Sequence, residues 1–160
     1  MIKIELLDKA LQLVVAQGYL LSSSLFQSYL SDGKKTCCII RAAAIAADAN
    51  NNNVEDLVKG AAEFLGVPIQ EVWAFVDGLE GKKDVDFENE SINWLYSTHP
   101  KLQSTIDRFK LNRYVKWLPI KDLLFRTLKK DFELGQALKK QFEFAEAASY
   151  LMREGIDIVA

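Results

Sequence analysis

One histidine, two cysteines, three prolines and eight glycines occur in the 160 residues. Each shortage removes a class of chemistry. With His99 alone, no metal centre built on several imidazoles can form, and acid–base work falls to carboxylates, Lys, Tyr or this single ring. Its place between Thr98 and Pro100 predicts a surface helix start. Cys37 and Cys38 are neighbours, and neighbours on a helix point about 100° apart, which excludes a disulfide framework. They stand instead as buried small apolar residues or as a thiolate pair whose pKa a helix N-terminus would lower. Long apolar runs are missing as well. The longest low-polarity stretch, Cys37 to Ala47, contains Arg41 and falls short of the roughly 18 residues a membrane span needs. Lys3, Glu5, Asp8, Lys9, Gln12 and Gln17 break any signal-peptide core. The expectation is a soluble, cytoplasmic protein with no membrane partner.

What the chain has in quantity is charge, and it is sorted. Residues 41–100 carry four basic and eleven acidic side chains (net −7), while residues 101–140 carry eleven basic and four acidic (net +7). The overall charge of −2 hides both blocks. Such polarity bears on partners, or on how two halves of a fold face each other, and not on the fold itself. Hydrophobic residues make up 49% and charged residues 26%, which is ordinary globular usage for one domain of this length.

Periodicity predicts an all-α fold. Leu7, Leu11, Val14, Val15 and Gly18 place a first helix over 3–20, with a break at Ser22–Ser24 and a short second helix ending at Asp32-Gly33. Thr36 reads as the cap of an Ala-rich helix, Cys37–Asp48, and Asn53 as the cap of one closed by Gly66. Pro68 opens Ile69–Asp77, which Gly78 closes. Residues 79–91 are a polar loop, with Ser91 or Asn89 capping the next helix. Another opens at Pro100 and runs to about Leu111; Asn112–Leu118 is a short aromatic segment. Beyond Pro119 the apolar phase slips at Gly135, predicting two helices or one kinked helix ending before Gly155. Ile156–Val159 alternates like a strand. The result is a single helical domain, 1–160, of about seven or eight helices in an irregular bundle, with lobes 1–80 and 89–160.

Four local patterns invite a functional reading. Ala62, Gly66 and Val72 have the spacing by which residues 58–77 resemble a helix-turn-helix; in the second helix only Gln70 suits base reading, and Glu71 and Asp77 would repel phosphate. An αα-hairpin uses the same residues for packing alone. Asp84, Asp86, Glu88 and Glu90 alternate as in a calcium loop, but Asn89 and Leu95 stand where glycine and glutamate are required. Gly33-Lys34-Lys35-Thr36 lacks the earlier glycine of a phosphate loop, because Ser28 occupies that place. Lys101, Arg108, Lys110, Arg113, Lys116, Lys121, Arg126, Lys129 and Lys130 are interleaved with Phe109, Tyr114 and Trp117, as cation-and-stacking surfaces are. At α-helical spacing Trp117 falls in the core and the cations form a rim around it. Carboxylates lie mostly in exposed-looking loops, with no pattern that raises a pKa.

The sequence therefore assigns no catalytic residue, cofactor or metal. The favoured reading is a non-catalytic interaction or adaptor module. Its surface is Arg108, Arg113, Lys116, Trp117, Lys121, Arg126, Lys129 and Lys130, facing an acidic protein partner or a second copy. The alternative is a helix-turn-helix-like nucleic-acid-binding regulator with Gln70 as reader. The second alternative is a small carboxylate- or thiol-dependent enzyme.

Overall fold

Caps and turns divide the chain into helices, beginning with α1 (Ile4–Ala16) and α2 (Ile39–Ala46). These follow a computed structural model that describes residues 1–21, 36–48, 53–153 and 155. Next come α3 (Val54–Leu65), α4 (Ile69–Leu79), α5 (Phe87–Thr98), α6 (Pro100–Arg108), a 3-10 helix (Asn112–Trp117) and α7 (Pro119–Arg153). The fold is all-α. Its one extended feature among the described residues is a two-residue parallel bridge, β1 (Leu20–Leu21) beside β2 (Thr36–Cys37). The expected second helix, the Gly33–Lys35 turn and the Ile156–Val159 strand lie outside the described residues.

Local chemistry explains most boundaries, with three corrections. Helix α1 stops short of residue 20 because Gly18 takes a left-handed φ of 88°. Thr36 pairs in the bridge, so Cys38 caps α2, its Sγ accepting from the Arg41 N–H at 3.4 Å. Asp86, rather than Asn89 or Ser91, caps α5 through Oδ1 to the Asn89 N–H at 3.0 Å. Ser91 is buried and its hydroxyl donates to the Glu88 carbonyl at 2.8 Å. Two expected caps hold as read: Asn53 Oδ1 accepts from the Asp56 N–H at 2.9 Å, and Gly66 closes α3 at φ 67°.

Gly78 and Gly135 are the larger correction. The sequence has Gly78 close one helix and Gly135 divide or kink another; α4 runs one residue past Gly78, to Leu79, and α7 is a single helix through Gly135. They are where α4 and α7 cross. A Cβ on Gly78 would run into the Phe132 carbonyl, and one on Gly135 into the Phe75 carbonyl, with Leu79 N at 2.9 Å and Gly78 Cα at 3.1 Å. Backbone thus lies on backbone, which only glycine at both positions permits.

This seam makes α4 the central helix. Glu71, Val72, Ala74, Phe75, Val76 and Gly78 are all buried. A main core joins α1, α2, α3 and α4, with Leu134 and Leu138 of α7 packed on it. Ala74, Trp94 and Leu128 carry the packing into the second half, where Leu95, Ile106 and Val115 form a further cluster. The expected lobes 1–80 and 89–160 therefore meet along α4 and α7.

An Ala in place of Gly in a helix ordinarily adds up to about 1 kcal/mol of stability. At Gly135 the collision is with backbone that cannot rotate away. Gly135→Ala is expected to lose about 2 kcal/mol in urea unfolding; a gain would contradict the seam.

Candidate functional site

Residues 108–126 build an outward ridge from α6, the 3-10 helix and the start of α7. Helix α6 buries Ile106 and ends at Arg108; two residues on, Lys110, whose φ of 55° is left-handed, turns the chain into the 3-10 helix. With three residues per turn, side chains three apart eclipse one another. Val115 therefore points into the Leu95 and Ile106 cluster, with Leu118 packed beside it. Leu111, Tyr114 and Trp117 form a second stripe, and Trp117 is 73% exposed. Arg113 and Lys116 form the third. Trp117 is exposed, as the basic-face reading has it; the alternative that buries it assumed 3.6 residues per turn, and at 3.0 the buried position passes to Val115.

Cations lie on the rings rather than apart from them. The Arg108 guanidinium is 5.5 Å from the Phe109 ring centre, Arg113 is 4.8 Å from Tyr114, and the Lys116 ammonium is 5.1 Å from Trp117. Ile120 and Leu123 of α7 continue the exposed apolar surface. Phe109 and Tyr114, at 60% and 50% exposure, complete it. Arg126 is exposed and pairs with Asp122 at 3.3 Å; Lys129 and Lys130 are exposed farther along α7.

Lys121 does not share this face. It is 4% exposed and holds Glu88 through both carboxylate oxygens at 2.9 Å, with the Phe125 ring centre 5.5 Å away. It joins α7 to α5 beneath the ridge. Among the described residues this is the one ion pair that links the basic block to the acidic one.

Gln70 lies elsewhere, half-buried, its Nε2 3.5 Å from Ser97 Oγ on α5. Residues 58–77 do form two helices around a left-handed glycine, but the second is the central helix α4. His99 is exposed, with Nδ1 2.9 Å from Thr98 Oγ1. Both thiols are buried. Burial, with the adjacent Cys38 adding, pushes Cys37 up to about 12, and burial raises Cys38 too; desolvation outweighs the helix N-terminus expected to lower them. Among the described residues no group of three or more His, Cys, Asp or Glu could hold a metal ion. No described helix is long and apolar enough to cross a membrane.

One titratable cluster escaped the sequence. Glu71 of α4 and Asp131 of α7 are buried together, Asp131 at 1% exposure. The Ile2 N–H donates to Asp131 Oδ1 at 3.0 Å, and the Met1 amine lies 3.2 Å from Glu71 Oε1. Glu71 Oε2 and Asp131 Oδ2 are left without other partners. Burial and the facing Glu71 push Asp131 up to about 7, against the Ile2 N–H and the terminal amine, which lower it. The two residues stand sixty positions apart, so no local pattern could reveal them.

No protein-family model, curated protein or solved structure matches the chain.

Two expectations follow from these placements. The raised Asp131 carboxyl stabilises the fold fully below the unfolded carboxylate range and loses that contribution as pH rises through about 7. Asp131→Asn keeps the acceptor for Ile2 and gives Glu71 a donor. It should raise stability at pH 8 relative to pH 5 by ~1 kcal/mol or more against wild type; an equal loss at both would contradict the raised Asp131 carboxyl. Lys121→Ala should lower stability by about 1–2 kcal/mol, whereas Arg113→Ala and Lys116→Ala stay within about 0.5 kcal/mol in the same denaturation assay.

Proposed function

We propose that the protein is a non-catalytic interaction module whose docking surface is the ridge 108–126, and that its partner presents an acidic protein surface. The observation that carries this reading is the stripe Leu111, Tyr114 and Trp117, exposed beside Arg113 and Lys116. Contiguous exposed apolar surface rimmed by polar groups marks docking sites, and Trp, Tyr and Arg are the residues that anchor them. The block charges support it too: with one pair joining them, most of the basic charge remains for an outside partner.

Nucleic acid fits the cations and rings but not the rest of the surface. Leu111, Ile120 and Leu123 offer nothing to phosphate or to a base face, and they suit apolar side chains. The helix-turn-helix alternative has a further difficulty, since most of its second helix is packed into the core and the part left open presents Trp73 beside Asp77, a carboxylate that repels phosphate.

Fluorescence titration with an acidic peptide containing Leu and Phe tests the reading. Binding should blue-shift the Trp117 emission and weaken as salt rises, with Arg113→Glu and Lys116→Glu together reducing affinity at least about tenfold. Equal binding by that variant, or tighter binding to single-stranded nucleic acid than to the peptide, would reject it.

A further inference from the structure

A groove opens between α4 and α5, bounded by the loop that joins them. Ala74 and Leu128 form its floor, Trp73, Val85 and Phe87 its apolar walls, and Asp77 and Glu90 its rim. Its volume is about 120 Å³. Small-molecule sites usually enclose roughly 300–1,000 Å³, so this one has room for a side chain and not for a cofactor. Trp73 is the sole large hydrophobic of α4 exposed to solvent, at 39%, although Val72 and Ala74 on either side of it are buried.

The electrostatics select what enters. Residues 77–90 carry Asp77, Glu80, Asp84, Asp86, Glu88 and Glu90 against Lys82 and Lys83. Lys82 is held at the rim by Asp77 at 2.9 Å, and Asp77, Glu80 and Glu90 all raise its pKa. An apolar slot with an exposed indole and a negative rim fits a long cationic side chain, with its stem on the walls and its head near Trp73 and the carboxylates. The ridge supplies such side chains, Arg113 and Lys116, beside apolar groups of matching character. In one molecule the two surfaces do not fill each other, because Trp117 stays exposed.

From this complementarity we infer that the groove receives the ridge of a second copy of this chain. The inference rests on the ridge being the docking surface, and it names the acidic partner. The contact is head-to-tail: each molecule uses its ridge on one neighbour and its groove on another, so association need not stop at two.

Mixing of variants tests this directly. Arg113→Glu/Lys116→Glu disables the ridge; Glu90→Lys disables the groove at an exposed position, and Trp73→Ala does so through the apolar wall. Sedimentation velocity at about 50 mM salt should show concentration-dependent association of wild type, lost at about 500 mM. Each variant alone should remain monomeric with unchanged circular dichroism, its self-affinity down at least about tenfold. Equimolar ridge and groove variants should form a one-to-one dimer that grows no further, since one intact surface of each kind remains. A monomeric wild type that still binds the acidic peptide would overturn self-association and leave the ridge reading standing. Loss of peptide binding as well would end both. Self-association that survives in either variant would place the contact elsewhere and overturn the inference.

Discussion

Backbone contact between Gly78 and Gly135 is the constraint on which the rest depends. Two helices this close fix each other's register, because a shift of one residue would bring a Cβ against a carbonyl. With the register set, Asp131, one turn before Gly135, is brought to Glu71, two turns before Gly78. Leu128 is likewise delivered to Ala74 and Trp94. The buried acid pair and the continuity of the two halves are consequences of one crossing.

The same crossing explains why a surface so apolar can stand outside the core. Helix α7 is anchored at its middle on α4 and at its start on α5 by the Lys121–Glu88 pair. Its opening residues and the 3-10 helix before it are further held by the cluster of Val115, Ile106 and Leu95, with Leu118 and Leu124 packed on it. Nothing in that arrangement requires Trp117, Tyr114 or Phe109 to be buried. A large indole exposed on a well-supported segment is the feature on which the proposed docking surface rests, with cations 4.8 and 5.1 Å from the Tyr114 and Trp117 ring centres.

Most of the helices were legible because caps and apolar spacing are local: Asn53, Gly66 and Pro100 mark boundaries that the structure keeps. Gly78 and Gly135 misled because a glycine that ends a helix and one that admits another backbone look alike in a single sequence. The ridge was located by its cations and aromatics, but its faces were not, since a six-residue 3-10 helix obeys a different period from its neighbours. Lys121 was grouped with that surface on charge alone, and its partner lies thirty-three residues away. Glu71 and Asp131 carry no sequence signal at all, because the proximity that defines them is made by the seam.

The opposed charge blocks acquire a definite meaning from these contacts. Among the described residues a single ion pair, Lys121–Glu88, joins them, and the proposed association would draw on the charge left unpaired between the blocks. Hydroxyl-radical footprinting of the dilute chain at high salt, repeated under associating conditions, tests this most directly. The account predicts that Phe109, Tyr114 and Trp117 oxidise rapidly when dilute and become protected together on association, while Trp94 stays protected throughout. Protection of Trp117 in the dilute monomer, or its continued oxidation in the associated form, would contradict it.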